Sequence, residues 1–207
     1  MGPVYPSRAP AVPGTVADVA EILLFHHPLG LTDGVRALVD DLGAAGHVVH
    51  LPDLYDGRTY TELGEGVDHA EELGFDTIRA RGAAAAEGLP TDLVYVGLSL
   101  GVMPAQELAQ TRAGARGAVL LHACVPLDFF GDGTWPADVP AQVHVMEDDD
   151  LGDVDIAREV AATTDPVELF VYPGDRHLFT DRSTPDHDEV AASLALRRVL
   201  AFLDQVG

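Results

Sequence analysis

The sequence predicts an α/β fold, a mostly parallel sheet with helices on both faces. Three observations predict it. Short apolar runs alternate with helix-period stretches from end to end, the pattern of strand–helix–strand units. Runs such as "AEILLF" (residues 20–25) are, apart from Glu21, continuously apolar rather than alternating, which is what a strand buried on both faces requires. The residues with chemical character collect just after those runs, which places them along one edge of the sheet.

After the first strand, Thr32 is placed to cap a helix through "DGVRALVDDLGAAG", with Gly46 as the stop. "HVVHL" is the second strand, and "PDLYDG" is a loop by its Pro, Asp and Gly. Residues 65–89 read as helical, with a break at Gly74. "DLVYVG" is a strand, "LGVMPAQELAQT" a helix, and "GAVLLHA" a strand followed by a loop to Pro140. "AQVHVM" (strand), "VDIAREVAATT" (helix) and "VELFVY" (strand) follow. A last helix spans residues 186–206, with apolar positions from Val190 to Leu203.

The chain has 207 residues, 47% of them hydrophobic, enough for one well-buried core and too few for two comfortable ones. Residues 1–18, rich in proline, read as a loose arm, and residues 19–207 as a single domain. The N-terminus lacks the apolar core of a secretory signal, and no apolar stretch is long enough to span a bilayer. A net charge of −22 repels phosphate backbones and anionic lipid, so neither nucleic acid nor membrane is expected as a partner. All 12 basic residues are arginine, and a lysine-free chain rich in Ala, Gly and Asp suggests a GC-rich bacterial genome. Cys124 is the single cysteine; it excludes an internal disulfide and suits a reducing cytoplasm.

The segments after the six strands are "HHPLG", "PDLYDG", "GLSLG", "HACVP", "MEDDD" and "YPGDRHLF". They bring a serine, an acidic cluster and a histidine to one edge in the chain order Ser, Asp, His, the order of an α/β-hydrolase. A serine hydroxyl is a weak nucleophile and needs a base beside it; histidine can take its proton and return it; a carboxylate fixes the imidazole tautomer. Ser99 lies between Gly97 and Gly101 at a strand-to-helix turn, and the N–H of Leu100 is the first candidate to stabilise an oxyanion. A bare G-x-S-x-G also arises by chance in a Gly-rich chain, "EDDD" also fits a solvated turn, and His177 also fits a structural cap. Asp148, Asp149, Asp150 and Asp153 all remain candidates for the acid. His26, His27, His47 and His50 lack a third ligand at fixed spacing, so no metal is expected. Cys124 lacks the flanking glycines of an elbow and reads as a small buried residue.

From residue 20 to 203 the sequence resembles the dienelactone hydrolase family. The resemblance is carried by "GLTDGVRALVDDLGAAGHVVHLPDLYDG", "GLSLG", "YPGDRHLF" and "LRRVLAFL". It implies an α/β-hydrolase-like sheet without a large lid and cofactor-free hydrolysis of an ester or lactone. It places the nucleophile at Ser99, the acid at Asp149 and the base at His177. The chain departs from the family in three places. Ser99 stands where the best-known members carry cysteine, His27 where they carry a glutamate, and Asp181 where they carry an arginine for an anionic substrate.

The expected activity is therefore hydrolysis of a small neutral or weakly polar ester or lactone through an acyl-enzyme, by a monomer or homodimer. Pro28 has no N–H, so the second oxyanion donor is expected at Leu29, with Gly30 or the His27 ring in reserve. His27, His122, Phe130, Trp135 and Phe179 are expected as pocket walls from their positions near strand ends. The alternative is a catalytically silent domain of the same fold that binds a small ligand or a partner.

Overall fold

The computed structural model describes residues 19–207. The arm expected over residues 1–18 lies outside the described residues. Among the described residues six strands and six α-helices follow in this order: β1 (Glu21–Phe25), α1 (Asp33–Ala44), β2 (Val48–His50), α2 (Leu63–Leu73), α3 (Phe75–Ala85), β3 (Val94–Leu98), α4 (Val102–Thr111), β4 (Gly117–Leu121), β5 (Ala141–Met146), α5 (Val154–Thr163), β6 (Val167–Tyr172) and α6 (Glu189–Val206). The strands form one sheet in the order β2-β1-β3-β4-β5-β6, and every pairing is parallel.

Burial follows sheet position. The central strands β3 and β4 are buried at every residue, whereas the edge strand β2 has none buried. The uninterrupted apolar runs are thus those of strands covered on both faces. One apolar layer joins alternate strand residues (Leu23, Phe25, Tyr95, Leu120) to α3 and α4. The opposite layer joins Ile22, Leu24, Val94 and Val119 to α1 and α6.

The local signals act where the sequence places them. Thr32 caps α1, its side chain accepting the N–H of Val35, and Gly46 follows the helix end with φ +103°. Gly74, at φ +83°, separates α2 from α3. The last helix starts at Glu189, three residues later than the pattern suggests, because Asp188 caps it by accepting from the N–H groups of Val190 and Ala191. Among the described residues, no helix is long and apolar enough to cross a membrane.

The chain moves outward from β1 to β2, then returns to place β3 on the other side of β1. Such a reversal opens a crevice at the carboxyl ends of the two strands. The segments after β1 and β3 border that crevice.

Candidate active site

Ser99 leaves the end of β3 with φ +49°, in the left-handed region that a non-glycine residue rarely occupies. It starts a single 3-10 turn (Ser99–Gly101) that runs directly into α4. The turn is too tight for side chains on either flank. A Cβ on Gly97 would lie 2.5 Å from the carbonyl oxygen of Gly101, and one on Gly101 would lie 2.3 Å from that of Phe25. The two glycines of "GLSLG" therefore let the helix start press against the ends of its own strand and of β1.

The serine is connected. Its Oγ lies 2.7 Å from Nε2 of His177, and Nδ1 of that ring lies 2.8 Å from Oδ2 of Asp149. Asp149 comes from the turn after β5 and His177 from the segment after β6, so the ends of β3, β5 and β6 contribute to one hydrogen-bonded line. Both rear members are 6% exposed. The other carboxylate oxygen of Asp149 accepts the N–H of Leu151, which leaves one oxygen for the imidazole. Asp148, Asp150 and Asp153 are exposed, as a turn that fans its side chains outward requires. Leu100, inside the 3-10 turn, is 8% exposed.

The loop after β1 differs from its sequence reading. His27 is fully buried, and both its ring nitrogens are engaged: Nδ1 accepts the N–H of Leu29 at 3.2 Å, and Nε2 lies 2.7 Å from Oδ2 of Asp181. The Gly30 N–H donates to the His27 carbonyl. Leu29, expected as the second oxyanion donor, thus spends its N–H inside the loop, and so do the two groups held in reserve. The cause is the loop's tight turn, which folds its amides back onto His27.

The five expected pocket walls also divide. His122 and Phe179 lie beneath His177: the rings of His122 and His177 are 6.0 Å apart, and those of His122 and Phe179 are 5.1 Å apart. Both residues are fully buried, so they support the site from below rather than wall an open pocket. His27 is locked as described. Phe130 and Trp135 lie on the run between β4 and β5. The Phe130 ring packs 5.2 Å from the guanidinium of Arg79 on α3, and the Trp135 Nε1–H donates to the carbonyl of Val139, just before β5. The chain must travel from the top of β4 to the bottom of β5 without a crossover helix. It does so along α4, where Gln106 and Gln110 bond the carbonyls of Val125, Leu127 and Thr134. Aromatic residues on that return run pack against the helices.

Three of the remaining histidines have hydrogen-bonding partners. His26 Nε2 accepts the N–H of Leu54, His47 Nδ1 accepts that of Ala20, and His50 Nε2 pairs with Glu21. Among the described residues no group of three His, Cys, Asp or Glu could hold a metal. A cavity of about 240 Å³ lies between α1 and α6, with Val96 and Leu121 at its apolar end. Ser99 is not among its walls, and the Ser99–His177–Asp149 line lies at the sheet edge instead.

The comparisons agree with this fold. The family model described as the dienelactone hydrolase family matches residues 10–207. The chain belongs to that family. The membership covers nearly the whole sequence and makes the chain a member of a hydrolase family with an α/β-hydrolase fold. No curated protein matches it in sequence. Solved structures like it include a dienelactone hydrolase-like promiscuous phosphotriesterase from metagenomic libraries, with a TM-score of 0.68, 19% identity, and coverage of 94% of this chain and 89% of that one. An esterase from an Arctic intertidal metagenomic library has a TM-score of 0.64 at 18% identity, covering 93% and 84%. The dienelactone hydrolase from Anabaena variabilis has 0.61 at 19% identity, covering 91% and 85%.

Asp181 is the residue that sequence reasoning missed as part of the site. It was visible only as a departure from the family. No local pattern joins it to His27, 154 positions earlier. Burial pushes its carboxyl up, but hydrogen bonds from His27, Ser183 and Thr32 outweigh that and hold it well below the usual carboxylate range.

Proposed function

We propose that this chain is a serine hydrolase that cleaves a small neutral or weakly polar ester or lactone through an acyl-enzyme. The observation that carries the proposal is the line Ser99–His177–Asp149, with contacts of 2.7 and 2.8 Å, on a serine held at a strained turn. His177 Nε2 takes the proton of Ser99 as Oγ attacks the carbonyl carbon, then returns it to the leaving alkoxide. Asp149 keeps the imidazole proton on Nδ1 and stabilises the imidazolium that forms. The N–H of Leu100 faces the oxyanion. Water then repeats the sequence on the acyl-enzyme.

The substrate class follows from charge. The net charge of −22 and the ionised Asp181 behind the β1 loop both disfavour an anionic substrate. Similar structures named as an esterase and a phosphotriesterase fit a site that attacks uncharged esters. A fluorophosphonate probe tests the reading, because it reacts only with an activated serine. The probe is expected on Ser99 by peptide mapping, and Ser99→Ala is expected to lose both labelling and p-nitrophenyl acetate turnover while keeping its fold. Unlabelled wild-type protein would favour the catalytically silent alternative, and wild-type turnover by Ser99→Ala would remove Ser99 as nucleophile.

A further inference from the structure

The reaction above leaves a second buried histidine–carboxylate pair without a role. Asp181 lies four residues beyond His177, is 1% exposed and accepts four hydrogen bonds. Its Oδ2 takes the His27 Nε2–H at 2.7 Å and the Thr32 hydroxyl at 2.6 Å; its Oδ1 takes the Ser183 N–H at 2.7 Å and the Ser183 hydroxyl at 2.6 Å. The backbone closes over this cluster at the start of α1. The Gly34 N–H donates to the Ser183 hydroxyl, and a Cβ on Gly34 would lie 1.6 Å from Oδ1 of Asp181, so no side chain fits there. On the far side of the imidazole, Nδ1 receives the N–H of Leu29. The strut therefore runs from the segment bearing His177, through Asp181 and His27, to the loop after β1, whose strand end packs against Gly101 of the serine turn.

We propose that Asp181 is a positioning residue: through His27 it fixes the shape of the Pro28–Gly30 loop and ties it to the segment that presents His177. The proposal rests on the reading of Ser99 as the nucleophile. The chemistry is specific to a carboxylate. Two oxygens with no proton of their own can accept from four donors, and no other side chain has that capacity. A donor on one side of the ring and an acceptor on the other dictate the His27 tautomer. Nδ1 must be bare to accept from Leu29, so the ring proton sits on Nε2 and points at Asp181. An amide at position 181 would turn an NH₂ group toward donors. Relief by proton exchange on the ring, with Nε2 accepting and Nδ1 protonated, would set Nδ1–H against the Leu29 N–H. Two donors face to face force the loop to move.

The same logic supplies the control. An asparagine at position 27 can accept the N–H two residues on through its own carbonyl oxygen, as in an Asx turn, but cannot reach Asp181 as the imidazole does. His27→Asn should thus preserve the loop while cutting the strut.

The test is a double-mutant cycle on the full chain with p-nitrophenyl acetate, together with amide exchange at Leu29 followed by NMR. Asp181→Asn is expected to lower kcat about tenfold with KM changed less than about twofold, since a small misplacement at a reacting centre acts on the rate. The Leu29 amide is expected to lose protection in parallel. In the His27→Asn background, which should itself cost no more than about threefold, Asp181→Asn should change kcat by less than about twofold. An equal loss in both backgrounds, or full Leu29 protection in Asp181→Asn, would overturn the proposal. If Asp181→Asn does not fold, His27→Ala against His27→Asn decides: about tenfold loss with alanine alone supports the strut, and wild-type kcat with alanine overturns it. Amide exchange does not depend on turnover. Failure of Ser99 to label would therefore strike the proposed reaction, and an unchanged Leu29 amide would strike the strut.

Discussion

Two histidine–carboxylate pairs sit within one site and have nearly the same dimensions. His177 and Asp149 are 2.8 Å apart, His27 and Asp181 are 2.7 Å apart, and all four residues are buried. Their orientations are opposite. His177 gives Nδ1 to its carboxylate and Nε2 to the Ser99 hydroxyl; His27 gives Nε2 to its carboxylate and Nδ1 to the Leu29 amide. A hydroxyl can surrender its proton to a base, whereas a backbone amide cannot at any ordinary pH. On the proposed reading, the third group decides what a His–Asp pair does: one arrangement is a base waiting for a proton, and the other a fixed acceptor that shapes a loop. Burial, distance and residue type do not distinguish them.

The sharpest way to break this comparison is to remove one charge from each pair. Asp149→Asn should lose at least about 100-fold in kcat, because the wrong tautomer then faces Ser99; the same change in a well-studied serine protease triad costs about 10⁴. Asp148→Asn and Asp150→Asn should stay within a few-fold, as exposed charges act weakly through water. The tenfold loss expected for Asp181→Asn falls between these. If Asp181→Asn costs as much as Asp149→Asn, the division of labour is wrong.

A smaller effect involves three further buried histidines, His26, His122 and His144. Burial pushes His26 down to about 4, and burial with the nearby Arg198 pushes His144 down to about 3. Burial and the neighbouring His177 hold His122 well below its ordinary value. A lowered histidine binds its proton in the unfolded chain before the folded one. Its contribution to stability is complete above the unfolded value of about 6.5 and declines as pH falls toward the folded value. Each such histidine contributes a slope of up to about 1.4 kcal/mol per pH unit. Asp181 adds its own loss only further down, as pH falls through the ordinary carboxylate range, because its folded value lies below the unfolded one. Urea unfolding at pH 7.5, 6 and 5 should therefore show stability already falling between pH 6 and 5. A flat profile over that interval would mean that these rings carry protons in the folded chain.

The sequence reported one pair far better than the other, for a physical reason. Strands buried on both faces are mostly apolar, so β1, β3 and β4 stand out, and whatever follows a strand of this parallel sheet lies at one edge. Ser99 also carries two flanking glycines that its turn demands, and Asp149 and His177 each follow a recognisable strand. The β1 loop has no such signature. Pro28 revealed a missing donor, but nothing local revealed that Leu29 turns its N–H onto His27 or that Asp181 completes the ring's bonding. Phe130 and Trp135 pack along the return run, because position after a strand fixes where a segment starts, not where it travels. The run from β4 to β5 descends along α4 and takes its aromatic residues with it.

The most direct test of the central contrast is the protonation site of each ring, read from the ¹⁵N chemical shifts of histidine-labelled protein at pH 7.5. His27→Asn and His177→Gln would assign the two sets of signals. The account predicts His177 protonated on Nδ1 with Nε2 bare, and His27 protonated on Nε2 with Nδ1 bare. The same tautomer in both rings, or a doubly protonated His27, would contradict it.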